Sequence, residues 1–471
     1  MSLQALQDIN SRGKTVSSDK GLHIGRVRNL TETDYSPNDI KEYYIPTKDR
    51  TKHLGCVGAT QMGKSCLIAH MVDQDIKAGL NIVETDPKGD IKLTSRVIQS
   101  SAEAGRLEDL MFVNPIFPET SLKIDPLAYY YIHDEIVDHV TSGIKAKDEY
   151  FINVASEITT AIVDGLIALE NAKGNKNVKL NFHDIKNWAT YMSLKQLREN
   201  LDYLKNHPDS EIRNAAEETI MNIEQILASP VDFFAKVASS LRTTLTALSS
   251  GTTGKIIGKA KTNEFIKRLE EGRKVILVCN TGSMLTRRTA YTIGRVLISM
   301  IQSLIGRFYA SGKKINPALS IYMDEGHNVL YRGIQELFNK SGSANVYLQF
   351  FVQSLSQMIE EIGEDATQSI VDNIHQWLYM HVNHEKTAEF VENSTPIKSI
   401  QEPFLSMAGG KISMSLRGAE RRLILKEKLL SLPPQWFYMK DAAGEFYKGK
   451  VADVGDPYVE LQMPDTNVTV S

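Results

Sequence analysis

Two periodicities divide this chain. Between Gly21 and Val27 apolar and polar residues alternate, the period-2 signature of a half-buried strand, and a second short apolar run follows the turn-rich TETDYSPND at Tyr43–Pro46. Together they predict a small β appendage over residues 1–50. From Leu54 the pattern changes to an apolar strand, HLGCVG, a glycine-rich loop and the amphipathic run CLIAHMVDQDI. A strand over Leu80–Thr85, a turn at Asp86–Asp90 and a strand at Leu110–Val113 follow, and this alternation predicts parallel βαβ units.

After Pro126 the strand pattern stops. Phe151, Val154, Ile158, Ile162, Leu166 and Leu169 recur at helical spacing, which predicts one long amphipathic helix. Beyond the polar break NAKGNKN, Ser193 and Gln196 have the spacing of a capping box, and Pro208-Asp209-Ser210 punctuates before a further helix at Glu211–Leu227. Residues 127–233 thus form an all-helical insert. Strands return at Lys274–Cys279, Ala318–Met323, Val346–Val352 and Trp377–His381, and two runs around Gly444 predict a hairpin capping the sheet edge. The expected fold is α/β: a mostly parallel sheet in a discontinuous core (51–126 and 234–471) interrupted by an all-α domain.

Composition narrows the class without naming it. A 471-residue chain with 42% apolar and 24% charged residues is ordinary for a soluble globular protein. Three scattered cysteines, Cys56, Cys66 and Cys279, have neither disulfide nor metal-ligand spacing and fit a reducing compartment. The N-terminal MSLQALQDINSRGK lacks an apolar leader core, and no run of the roughly 20 apolar residues needed to cross a bilayer stands out, so no membrane segment is expected. A net charge of −3 gives no global nucleic-acid footprint. Basic residues do cluster at Lys255, Lys259, Lys261, Lys267, Arg268, Arg273 and Lys274, as either a solvated helix face or a local DNA contact.

The chemistry concentrates in three places. Gly58-Ala59-Thr60-Gln61-Met62-Gly63-Lys64-Ser65 matches G-x-x-x-x-G-K-[ST], directly after a strand and before a helix. In such a loop glycines let backbone N–H groups converge on phosphates at the positive end of the helix, a cradle running from Gly58 to Cys66. Lys64 neutralises β/γ oxygens and Ser65 holds Mg²⁺, so ATP and Mg²⁺ are the expected ligands. LSIYMDEGHN ends an apolar strand in adjacent carboxylates, which assigns Asp324 to the Mg²⁺ shell and Glu325 to activation of water as general base. Gln353 ends the next strand, where a polar side chain can face the γ-phosphate. Asp86, Lys88 and Asp90 are either a plain turn around Pro87 and Gly89 or part of the cleft. Some 260 residues separate Lys64 from Asp324, which leaves room for the insert and excludes the smallest kinases and GTPases.

In this order GATQMGKS, ETDPKGD, Asn114-Pro115, MDEGHN, VQSLSQM and EKLLSLPPQWFYMK resemble the type IV secretion coupling proteins over about residues 50–450. The resemblance implies a RecA-like P-loop motor that hydrolyses ATP to translocate DNA without sequence preference and assembles as a homo-hexamer with nucleotide between subunits. It also implies relaxosome and secretion-channel partners, and a cytoplasmic place at the inner membrane face. Family members present an arginine to a neighbour's γ-phosphate, but here FNKSGSANVYLQ offers Lys340, leaving Arg332 or Arg287-Arg288 as other sources. A segregation- or repair-type DNA pump, and an ATP-dependent receptor recruiting protein substrates through the insert, are the alternatives.

Overall fold

The structure, a computed structural model, describes residues 21–31, 40–145, 148–260, 262–408, 411–459 and 461. Residues 1–20 and 32–39 of the expected appendage, and Lys261, lie outside the described residues.

Eleven strands form one sheet in the order β2-β1-β13-β12-β9-β3-β8-β7-β4-β6-β5. In chain order these are β1 (Leu22–Asn29), β2 (Lys41–Ile45), β3 (Leu54–Val57), β4 (Asn81–Asp86), β5 (Leu110–Val113), β6 (Ile276–Asn280), β7 (Leu319–Met323), β8 (Val346–Val352), β9 (Gln376–Tyr379), β12 (Trp436–Lys440) and β13 (Phe446–Val451). From β9 to β5 all neighbours are parallel; β12, β13, β1 and β2 continue the sheet antiparallel. β10 (Ile397–Ala408) and β11 (Lys411–Arg422) form a separate two-stranded ribbon that the sequence pattern did not announce.

The parallel strands are buried on both faces, as βαβ crossovers require. On one face α1 (Lys64–Lys77) lays Leu67, Ile68, Met71 and Val72 against Ile82, Val278 and Phe351. Beside it α2 (Ile91–Glu103) starts where the Asp90 carboxylate accepts from the N–H groups of Lys92 at 2.9 Å and Leu93 at 3.4 Å, satisfying two otherwise orphan donors. The opposite face receives the long helix of residues 283–310 through Ile293, Val296, Leu297 and Ile301.

Between β5 and β6 the chain is helical. It runs through α3 (His133–Ser142), α4 (Glu149–Ala172), α5 (Phe182–Trp188), α6 (Tyr191–Asp202), α7 (Ser210–Leu227), α8 (Val231–Val237), α9 (Ser239–Ser249) and α10 (Glu264–Glu270). Helices therefore extend past residue 233, up to the turn before β6. The cap of α6 lies three residues before the expected one: Thr190 Oγ1 accepts from Ser193 N at 3.2 Å, so Thr190 is the cap and Ser193 lies within the first turn. α4, at 24 residues, is the one described helix long and apolar enough by length and composition to span a bilayer, although its apolar residues are interleaved with polar ones. Half of its most apolar window is buried in the protein, where Ile158 and Ile162 join Leu197 and Ile223.

The C-terminal hairpin does not cap the edge. β12 pairs with β9 and β13 pairs with β1, so the hairpin joins the parallel core to β1 and β2, and β2 is the outer strand. Short runs around a turn predict a hairpin, but they carry no information about which outer edges it will meet. Beneath the sheet, Arg50 grips the Asp75 carboxylate of α1 through two 2.6 Å bonds, and Tyr322 Oη adds a third donor at 2.6 Å.

Candidate nucleotide site

Three adjacent parallel strands deliver the predicted groups to one edge of the sheet. β3 ends at Val57 and passes into the Gly58–Ser65 loop; β8 ends before Gln353; β7 ends before Asp324 and Glu325. Since β8 lies between β3 and β7, the loop and the acids are two strand spacings apart, roughly 10 Å. That is a span one Mg·triphosphate can bridge.

The loop's shape is fixed by backbone contacts on both sides. Gly58 N donates to Val352 O at 3.1 Å and Ala59 N donates to His381 O at 2.7 Å. A Cβ on Gly58 would stand 2.8 Å from Met380 Cβ, too close to fit. Gly63 has φ 107°, a conformation costly for any other residue. Gln61 also takes a left-handed conformation, φ 63°. Thr60 and Gln61 are exposed, Met62, Ser65 and Cys66 partly buried. Lys64 is buried at the head of α1, where its Nζ donates to the carbonyls of Gly58 and, at 3.0 Å, Ala59. Burial lowers its pKa.

The acids are held as tightly. Asp324 N donates to Thr85 O at 3.0 Å, and Asp324 Oδ1 accepts from Glu325 N at 2.9 Å. Glu325 sits at φ 47°, a left-handed conformation that a non-glycine residue adopts at a cost and that recurs at functional sites. Its Oε1 accepts from Gln353 Nε2 at 2.6 Å and forms a short ion pair with Lys88 Nζ. The ETDPKGD segment is therefore more than a turn. Asp86 does shape that turn, accepting from Lys88 N at 2.8 Å and from Asp90 N, yet the same turn aims Lys88 at Glu325.

Electrostatics separate the two carboxylates. Burial, with the charge of Asp86 adding to it, pushes Asp324 up to about 6. Burial also acts upward on Glu325, but the hydrogen bond and charge of Lys88 outweigh it and the net shift is down. Glu84, within β4, is 1% exposed and neither of its carboxylate oxygens meets a hydrogen-bond partner among the described residues. Burial and then the charge of Asp86 raise its pKa well above the usual range. Acids gathered with raised pKa values are what a nearby divalent cation relieves, so the donor set fits Mg²⁺ with Ser65 and Asp324 as the residues to hold it. The loop and Lys64 fit a polyphosphate.

Other sequence candidates fall elsewhere. Asn114 Oδ1 accepts from Ile116 N at 3.0 Å and shapes the turn after β5. Lys340 pairs with Glu336, and Arg332 pairs with Glu149 at 2.9 Å. Arg287 lies over the Tyr291 ring and is exposed with Arg288 at the start of the 283–310 helix. In the basic cluster Arg268 and Arg273 pair with Glu264, and Arg273 also with Glu271. Sequence reasoning missed two residues. Glu84 had a signal, a charge inside an apolar strand. Gln435 was marked only as part of the family-like EKLLSLPPQWFYMK: it reaches Met62 O through its backbone N–H, 2.8 Å, from far along the chain.

With that geometry in place, the likenesses to known proteins are specific. Residues 318–433 match the family model described as the TraM recognition site of TraD and TraG. The chain superposes on the plasmid coupling protein TrwB solved with the GTP analogue GDPNP at a TM-score of 0.67, with 14% identity over 98% of this chain and 95% of that one. This is the fold of a type IV coupling protein. TrwB solved with ADP and Mg²⁺ gives 0.64 at 14% identity, covering 98% and 95%. VirB4 of Thermoanaerobacter pseudethanolicus gives 0.52 at 12% identity, covering 95% and 99%. No curated protein matches by sequence. The coupling-protein fold accounts for the order of the motifs, and the family match, residues 318–433, includes Asp324, Glu325 and Gln353.

Proposed function

We propose that this chain is an ATP-hydrolysing, DNA-translocating motor, a coupling protein that delivers DNA and its relaxosome to a type IV secretion channel. The observation that carries the proposal is the meeting of Lys64, Asp324, Glu325 and Gln353 at the ends of three neighbouring strands despite their distance in sequence. In this reading the N–H groups from Gly58 to Cys66 and the Lys64 ammonium hold the phosphates of ATP, and Ser65 and Asp324 hold Mg²⁺. The bound metal supplies charge neutralisation at the transferring phosphoryl group. Glu325, kept ionised by Lys88, takes the proton of the attacking water, while Gln353 fixes the orientation of that carboxylate and senses the γ-phosphate.

Residues 51–126 and 234–471 act as the motor and the helices from residue 127 to 233 as a separate domain that meets protein partners. Copies assemble as a homo-hexameric ring at the inner membrane face, with DNA gripped through its backbone, which makes binding salt-dependent and sequence-independent. The test is ATP hydrolysis at low salt with and without single- and double-stranded DNA. Stimulation by either supports the motor; identical rates in all three conditions defeat it.

A further inference from the structure

We propose that Glu84 is a positioning residue for the divalent cation of the nucleotide site: its buried carboxyl accepts hydrogen bonds from water in the shell of the ion held by Ser65 and Asp324. This rests on the Mg·nucleotide reading above and adds to it a residue outside the phosphate loop and the strand-end acids.

The sheet register sets the placement. In β4, Ile82, Glu84 and Asp86 share one face, because side chains alternate along a strand. Ile82 packs against α1, so this is the face that α1 covers, with Ser65 in its first turn. Glu84 stands opposite Tyr322 on β7 and Val278 on β6. Two residues further along, Asp86 stands opposite Asn280, and Asp324 follows Met323, the partner of Thr85. Glu84 is therefore one two-residue step, roughly 7 Å, further into the sheet than the row of Asp324, Asp86 and Asn280. The acid charges that act on it are those of Asp86, Asp324 and Asp90.

This region is rich in acceptors and short of donors. At 1% exposure, both Glu84 oxygens are without a hydrogen-bond partner among the described residues. Asn280 Oδ1 is in the same position, in a residue 4% exposed. The amide is oriented by Thr94, whose Oγ1 donates to Asp90 O at 3.0 Å and so accepts from Asn280 Nδ2 at 2.8 Å, which turns Oδ1 away from that contact. The lysines of the site are engaged, Lys88 with Glu325 and Lys64 with the carbonyls of Gly58 and Ala59. Three buried acceptors without donors oppose folding. A hydrated cation supplies those donors, since Mg²⁺ keeps several waters whose O–H groups point outward. Among the described residues no three His, Cys, Asp or Glu side chains converge closely enough to hold a metal themselves, so Glu84 acts through water and not as a ligand.

Mn²⁺ binding in the presence of ADP, read by electron paramagnetic resonance, tests this on the full chain. Glu84→Val matches the apolar character of β4 and should raise the Kd for Mn²⁺ by about tenfold or more, the usual effect of losing a group behind a metal's ligands. Glu84→Gln keeps one acceptor oxygen and should raise it less. In both variants the Kd for ADP measured in EDTA should stay within about twofold of the unsubstituted protein. The urea midpoint of metal-free Glu84→Val should equal or exceed that of the unsubstituted protein, because an unpartnered acid has left the strand interior. An unchanged Mn²⁺ Kd in Glu84→Val overturns the proposal. Loss of ADP binding in EDTA, or a lowered metal-free midpoint, overturns it as well, since either marks Glu84 as a structural residue. If the unsubstituted protein binds ADP and no Mn²⁺, the proposal falls with the metal site alone; if it binds neither, the nucleotide reading falls and takes the proposal with it.

Discussion

Gln353 Nε2 lies 2.6 Å from Glu325 Oε1, although the two residues follow different strands and are 28 positions apart. The bond couples the strand between the phosphate loop and the acids to the carboxylate assigned to water activation, so a side chain facing the nucleotide also sets the orientation of the base. Replacing Glu325 with Gln should lower hydrolysis by about 10²–10⁴-fold, the usual worth of a positioned base, while ATP still binds. Gln353→Ala should lower kcat less and leave the ATP Kd nearly unchanged. Steady-state kinetics with a binding titration check both; full activity in the Glu325 variant would remove its assigned role.

Lys88 offers a separate handle on the same carboxylate. Its ammonium is the main force holding the Glu325 pKa down against burial. A base works only when deprotonated, so Lys88→Met should let the Glu325 pKa rise and move the acidic limb of the kcat profile to higher pH. An acidic limb that stays in place would show that Lys88 does not set the ionisation of Glu325.

The buried pair below the sheet makes a stability prediction. Arg50 and Asp75 are 7% and 1% exposed, and Asp75 also accepts from Ser320 Oγ at 2.7 Å. Asp75→Ala leaves the guanidinium buried without its counter-charge and should cost about 3–5 kcal/mol in denaturant unfolding. A loss below about 1 kcal/mol would mean that water or rearrangement replaces the carboxylate.

His139 provides a pH signature away from the site. It is buried, its Nδ1 lies 2.9 Å from Ser299 Oγ, and burial followed by the charge of Arg307 pushes its pKa down to about 3. The unfolded chain has the ordinary histidine value near 6.5 and so binds a proton first on acidification. The stability that His139 contributes is present above pH 6.5 and is lost as pH falls toward 3, at about 1.4 kcal/mol per unit. His139→Gln should reduce the slope of unfolding free energy against pH between 6 and 4 by about that amount. Denaturant titrations at several pH values measure it, and an unchanged slope would count against the buried neutral imidazole.

What could be read ahead of the structure was local. The strands Leu110–Val113 and Val346–Val352 emerge with their expected bounds, because each is an apolar run between turn residues, broken in the second only by Gln349. Lys64, Asp324, Glu325 and Gln353 were legible because phosphate and water chemistry demands those residue types at strand ends. Lys88 was legible only as one of two alternatives, a turn residue or part of the cleft, since nothing in ETDPKGD says which partner its side chain reaches. Gln435 was legible only as part of EKLLSLPPQWFYMK, because its contact with Met62 arises from a pairing across most of the chain. The β10–β11 ribbon escaped for another reason: it pairs only with itself, and no flanking βαβ pattern marks it.

The sheet interleaves early and late parts of the polypeptide: β1 finds its inner neighbour only in β13, residues 446–451. During synthesis the N-terminal pair β1–β2 must therefore wait with the inner edge of β1 unpaired until β13 has been translated. A stop codon placed before residue 446 would leave that pair with no inner strand to join and would remove Val451, whose N–H donates to the carbonyl of Gln435, the residue that contacts the phosphate loop at Met62.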